Sequence, residues 1–144
     1  MTNEIPGAET TPTVDALVQV SFVVLGVLTR VSAEHDLSVT QLRLLGILRD
    51  RTPSMAAIAA FLGLDRSSVT GLVDRAERRG IVARTPSTDD ARVITVALTD
   101  SGRQLGRLLT SSIGRDIEEL LRGTSATDRA RLVRLAESFG TPVG

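Results

Sequence analysis

Arginine carries most of the chemistry available to this chain. All 17 basic residues are arginine, set against 17 aspartates and glutamates, so the formal charge is zero. A planar guanidinium presents a rigid fork of donors that matches carboxylates, phosphates and base edges. The densest group is Arg66, Arg75, Arg78 and Arg79, interleaved with Ser67, Ser68 and Thr70 and followed by Arg84 and Asp90-Ala-Arg92. Guanidiniums mixed with hydroxyls at this spacing suit recognition of phosphates and base edges. Other chemistries have little to work with. The absence of cysteine excludes a disulfide framework, a thiol redox sensor, a cysteine-containing zinc site and a cysteine nucleophile. His35 is the single histidine, hence the one candidate histidine base for a hydrolytic triad. Asp89-Asp90 is an adjacent carboxylate pair with no second cluster to complete a metal site, and no glycine-rich phosphate loop is present. The sequence therefore predicts no enzyme, no metal and no cofactor.

Zero net charge argues at first against a nucleic-acid partner, but it is an average over unlike parts. Residues 1–42 hold Arg30 against five acids, a net −4; residues 43–107 hold 11 arginines against seven acids, a net +4; the remainder balances. The basic part contains the arginine cluster. Arginine in place of lysine throughout points first to a GC-rich coding bias.

The elements that must position these residues follow from periodicity and capping. Leu17, Ser21, Val24, Leu28 and Val31 recur at helical steps over residues 14–34, although the β-branched run also suits a strand. Ser38-Val-Thr-Gln41 has capping-box spacing and opens a second helix through Leu42, Leu45 and Leu48. Ser54 caps a short third helix to Leu62, with Gly63 as its stop. Asp65 caps a fourth, whose apolar face is Val69, Leu72, Val73 and Ala76 and which Gly80 ends. Residues 81–84 and 93–98 read as two strands around a polar, charged tip. Thr99 caps a long helix with Leu105, Leu108, Leu109, Ile113, Ile117, Leu120 and Leu121 on one face, Gly123 breaks it, and Ser125 opens a last helix striped by Leu132, Leu135, Ala136 and Phe139. Residues 1–12 and 141–144 are expected to be mobile ends, with residues 13–140 a single domain. The N-terminus lacks the pattern of a signal peptide. The most apolar stretch, residues 20–28, is nine residues long, too short for a bilayer core that needs about 20. The expectation is a cytoplasmic protein without a membrane partner.

Two short helices joined by a glycine-containing turn and followed by a hairpin describe a winged helix-turn-helix, over about residues 38–99, in a mainly α (α+β) chain. With the apolar face of the fourth helix buried, Arg66, Ser67, Thr70, Gly71, Asp74 and Arg78 lie on or near the outward face. Its N-terminal residues would read base edges in the major groove, while Arg75, Arg78 and Arg79, further along, would contact phosphate. The same three arginines could instead pair with Asp74 and Glu77 on an exposed helix.

This stretch resembles the MarR family of bacterial transcription regulators. The resemblance rests on Ala59-x-x-Leu62-Gly63-Leu64, Arg66-Ser-Ser-Val-Thr70 and Leu72-Val-Asp-Arg75-x-Glu77-x-Arg79-Gly80-Ile-Val-x-Arg84. It continues through Asp90-Ala-Arg92-x-x-x-Val96-x-Leu98-Thr99 and Gly102. It implies double-stranded DNA as partner, with Arg66, Ser67, Ser68, Thr70, Gly71 and Asp74 in the major groove. Ser54, Arg75, Arg78, Arg79 and Arg84 would meet the backbone, and Ser87, Thr88, Asp90 and Arg92 would form the wing. Arg92 would enter the minor groove, where negative potential favours an inserted guanidinium, and Asp90, two residues away, would hold Arg92 or a neighbouring arginine through a bidentate pair. Gly71 stands where relatives commonly carry a larger polar residue; either it lets the helix approach DNA closely or one base contact is missing.

The resemblance also makes the terminal helices, about residues 13–35 and 100–140, the interface of a homodimer. Such a dimer would set two recognition helices about 34 Å apart on a pseudo-palindromic operator. It would act as a repressor that a small amphipathic or aromatic effector releases. Ser21, His35 and Arg43 are the polar candidates for an effector pocket, with His35 also suited to capping the first helix against its dipole. Phe22, Phe61 and Phe139 are the only aromatics, and the missing cysteine excludes the redox-sensing branch of the family. The alternative is a winged helix used for protein contact, such as an anti-repressor, which would tolerate loss of Arg66, Arg75 and Arg92.

Overall fold

Each helix in the computed structural model, which describes residues 11–140, starts at a side chain accepting a backbone N–H of its first turn. The elements are α1 (Pro12–Glu34), α2 (Val39–Leu48), α3 (Met55–Leu62), α4 (Arg66–Arg78), β1 (Val82–Pro86), β2 (Ile94–Leu98), α5 (Asp100–Leu120) and α6 (Ala126–Ser138). Their caps are Thr11, Ser38, Ser54, Asp65, Thr99 and Ser125, in that order. At Ser38 the full capping box forms: its hydroxyl accepts from the Gln41 amide, and the Gln41 side chain accepts from the Ser38 amide. Gly63, left-handed at φ 64°, ends α3 and turns the chain into α4. The expected order of elements is the one observed.

The differences have local causes. Thr11 and Pro12 belong to α1, not to a tail: Thr11 accepts from Val14 and Pro12 takes the first helical position, where its missing N–H costs nothing. Residues 1–10 and 141–144 lie outside the described residues, and so does the expectation of mobile ends. The nine-residue estimate of the apolar stretch was too short. By length and composition α1 is apolar and long enough to cross a membrane, because Val14, Leu17 and Val18 extend the run toward the N-terminus. The hairpin is longer than expected at its first strand, with Pro86 paired to Ile94 and Val82 to Leu98 in antiparallel register. Pro53 and Ser54 also pair with β2: Val96 donates to the Pro53 carbonyl at 2.9 Å, and Ser54 bridges Thr95.

The core lies among α2, α3, α4 and the sheet, closed by Val27 and Val31 of α1 and Leu109 of α5. The expected single stripe of α5 splits in two. Leu109 is buried with Leu105, Ile113 and Ile117 packed around it, but Leu108 and Leu120 point to solvent. Helix α6 buries nothing: its Leu132 and Leu135 and its C-cap residue Phe139 are exposed. A winged helix-turn-helix therefore sits on one side, with long, half-covered helices at the chain ends.

Candidate nucleic-acid interface

Helix α4 is held from below by Val69, Leu72, Val73 and Ala76, all buried, so its opposite face is presented to solvent. Arg66, Ser67, Ser68 and Thr70 are exposed at its N-terminal end, and Arg75 and Arg78 further along. Asp65 fixes that end: its carboxylate accepts from the Ser68 amide and the Ser67 hydroxyl, both at 2.8 Å. Those two bonds, the amide first, hold the Asp65 carboxyl below the usual carboxylate range. The Thr70 hydroxyl donates to the Arg66 carbonyl at 2.9 Å and keeps its lone pairs outward. Arg66, Arg75 and Arg78 have no carboxylate partner among the described residues, whereas eight other arginines do.

Two arginines expected at the DNA backbone have work inside the chain. Arg84, with its side chain 24% exposed, donates to Asp74 at 2.5 Å and to Glu77 at 2.9 Å, which ties the first wing strand to the recognition helix. The Asp74 bond, ahead of the Glu77 one, raises the guanidinium's proton affinity further. Asp74, placed toward bases by the sequence, is thereby committed to Arg84. Arg79 reaches back to α1 and donates to the carbonyls of His35 at 2.5 Å and Asp36 at 3.0 Å. These carbonyls sit just past the end of α1, where Asp36 takes a positive φ of 55°, so a cation completes the turn. Ser54 is half-buried and caps α3 through the Ala57 amide at 3.1 Å.

At the wing, Asp90 accepts from both the backbone N–H and the Nε of Arg92, at 3.1 and 3.2 Å, with the second fork nitrogen at 3.5 Å. Of the arginines left open as partners of Asp90, Arg92 is the one it takes, and the pair leaves the Arg92 side chain 91% exposed. Ser87 accepts from the Asp89 amide at 3.2 Å, and Thr88 is exposed at the tip.

Ser21, His35 and Arg43 are not brought together. Ser21 and His35 are 14 residues apart along one helix axis, about 21 Å at helical rise. The Ser21 hydroxyl donates to Val18 of its own helix, His35 is the C-cap of α1, and Arg43 donates to the Phe61 carbonyl. A pocket of about 380 Å³ lies elsewhere, between α1 and α5, where Phe22, Val23, Leu120 and an Arg30–Asp116 pair at 2.7 Å line it. Sequence reasoning missed it because those partners are 86 residues apart and nothing local couples them. It also missed Arg51, whose guanidinium stacks over Phe61 at 4.8 Å.

Two short helices, a recognition helix with a free basic face and an arginine-tipped wing define the winged helix-turn-helix class. Comparison with known proteins narrows it. The model of the MarR family matches residues 35–93. The HTH-type transcriptional regulator PecS of Dickeya dadantii is 30% identical over 123 residues, covering 81% of this chain and 70% of that one. The homoprotocatechuate degradative operon repressor of Escherichia coli is 28% identical over 126 residues, 86% of this chain and 84% of the other. Of some other curated relatives the chain spans about half the length, 46% and 49%. Among solved structures, that of CouR from Rhodococcus jostii RHA1 bound to p-coumaroyl-CoA superposes with a TM-score of 0.75 at 27% identity, over 90% of this chain and 92% of that one. The chain belongs to the MarR family of transcriptional regulators.

Proposed function

We propose that this chain is a homodimeric transcriptional repressor that binds a pseudo-palindromic operator and is released by a small amphipathic or aromatic effector. The observation that carries the DNA reading is the free basic face of α4, where Arg66, Arg75 and Arg78 are exposed without carboxylate partners among the described residues. Arg84 and Arg79 are engaged inside the chain, whereas Arg66, Arg75 and Arg78 are left exposed on the one helix built to enter a groove and are placed for an anionic partner. In this reading Arg66, Ser67, Ser68 and Thr70 face base edges, Arg78 and the α3 start at Ser54 face phosphates, and Arg92 enters the minor groove. Arg84 and Arg79 then hold the helix in position.

Repression is supported by the Escherichia coli relative, named as an operon repressor. The effector class is supported by the α1–α5 pocket, where Phe22, Val23 and Leu120 offer an apolar wall beside the Arg30–Asp116 pair, and by CouR, whose structure is bound to p-coumaroyl-CoA. The pair of DNA-binding lobes comes from a second copy seated on the exposed apolar faces of α1, α5 and α6.

A gel-shift titration on the DNA upstream of the gene, across a salt series, tests the reading. Affinity should fall steeply with salt, with a logarithmic slope of about −0.9 for each phosphate neutralised. Arg92→Ala should weaken binding. Flat salt dependence, or no binding at low salt, overturns the DNA reading in favour of a winged helix that contacts protein.

A further inference from the structure

We infer that Arg75 reads a guanine: the missing side chain at Gly71 lets its guanidinium lie back over the centre of the exposed face of α4. This deepens the reading of the chain as DNA-binding and rests on it.

Gly71 needs an explanation that its backbone does not supply. It sits mid-helix, where glycine is among the poorest choices, and its φ is not in the left-handed region. No protein backbone crowds it. The one atom outside its immediate surroundings that a Cβ at this position would meet within 4 Å is an Arg75 guanidinium nitrogen, at 3.3 Å. By contrast, Gly26, Gly46, Gly106 and Gly114, also helical, would meet nothing. The space left by the absent side chain is therefore taken up by Arg75.

The direction of that reach decides what Arg75 can touch. Side chains on a helix lean toward its N-terminus, so the residue at i+4 covers the surface of residue i one turn earlier. Gly71 is near the middle of the outward face, opposite Val69, Leu72, Val73 and Ala76. A guanidinium drawn over Gly71 is moved from the flank of the helix, where it would meet phosphate, toward the turn that faces base edges. Its acidic neighbours do not hold it back, since Asp74 and Glu77 are both engaged by Arg84. Arginine in that position, charged and free, matches the O6 and N7 acceptors of guanine in the major groove bidentately.

Selection from randomised duplexes tests this, using the full-length protein and its Arg75→Ala, Arg75→Lys and Gly71→Leu variants. Thermal melting verifies that each variant is folded. The wild type should enrich sites with one guanine that depends on residue 75 in each half. Arg75→Ala and Gly71→Leu should both lose discrimination at that position, by about 10- to 100-fold, and keep it elsewhere. Arg75→Lys retains the charge without the fork and should lose most of the same preference. If Arg75→Ala weakens every duplex equally, with the sequence preference intact, the salt slope smaller by about 1 and Arg75→Lys behaving as wild type, Arg75 is a phosphate contact and the inference falls alone. If the wild type retards no duplex, the DNA-binding reading falls with it.

Discussion

Gly102 shows how a single missing side chain lets two elements meet. A Cβ there would stand 2.0 Å from the Ile81 carbonyl oxygen, inside any permissible contact and against backbone that has no rotamer to change. The same corner is tied by the Thr99 hydroxyl donating to the Gly80 carbonyl at 2.6 Å, the Thr99 amide donating to Ile81 at 3.1 Å, and the Gly102 amide donating to Thr99. Gly102→Ala should therefore destabilise by about 2–3 kcal/mol by chemical denaturation, the strain outweighing the alanine's better helix propensity. Gly46→Ala is the control: nothing lies within 4 Å of its Cβ position, and it should stabilise by about 0.5–1 kcal/mol. If both variants shift stability alike, the close approach at Ile81 is not limiting. Ser32 presents the opposite case, a hydroxyl buried in α1 with no hydrogen-bond partner among the described residues. Removing an unsatisfied buried group relieves its desolvation cost, so Ser32→Ala should match or exceed the parent by about 1 kcal/mol in the same assay. A loss of more than about 1 kcal/mol would mean the hydroxyl has a partner.

At the scale of elements, α4 is positioned by polar ties as much as by its apolar face. Arg84 binds it to β1, Arg79 to the end of α1, and Asp65 fixes its first turn. The Asp65 tie makes a pH prediction. Its carboxyl is held below the usual range by the Ser68 amide and the Ser67 hydroxyl, so the folded state favours the charged form. The contribution is present above the ordinary aspartate range and is lost as pH falls through the folded value. Asp65→Asn keeps a capping oxygen without a titrating group. Between about pH 6 and about pH 3 the wild type should lose more stability than Asp65→Asn in urea unfolding. Parallel losses would remove Asp65 from the acid response. The caps at Ser38, Ser54, Asp65, Thr99 and Ser125 were legible in the sequence because capping is local, whereas Thr11 falls in the stretch expected to be a tail. Asp90 was legible as an arginine's partner for the same reason, although the sequence leaves open whether it takes Arg92 or a neighbour. Which acceptor each arginine takes was not legible in general, since Arg84 with Asp74, Arg79 with the His35 carbonyl and Arg30 with Asp116 depend on how the elements pack. The split of the α5 stripe was equally hidden, because a 3.6-residue period identifies an apolar face but not how much of it a neighbour covers.

For the whole molecule, the unanswered demand is the apolar surface on the terminal helices. Phe22 is 67% exposed and Phe139 65%, and Leu17, Val20, Val23, Leu108, Leu132, Val133 and Leu135 on α1, α5 and α6 are each about half exposed. A monomer in water rarely exposes so many large apolar side chains on its terminal helices, while the winged lobe keeps its own core covered. Helix α1 itself holds Asp15 and Glu34 against Arg30, a net −1, while the basic excess falls in residues 43–107, which include the winged lobe. A second copy placed on the apolar faces would cover them and leave the basic recognition helices free. Phe22→Glu combined with Leu135→Glu puts charge into that contact without touching the core of the winged lobe. The wild type should sediment as a dimer and the double variant as a folded monomer. Its operator affinity should drop by about 100-fold or more, because the second half-site would no longer be bound at the millimolar effective concentration that a linked lobe supplies. A double variant that stays dimeric places the interface elsewhere. Wild type that floats with lipid vesicles without self-associating would assign the long apolar α1 to a bilayer instead.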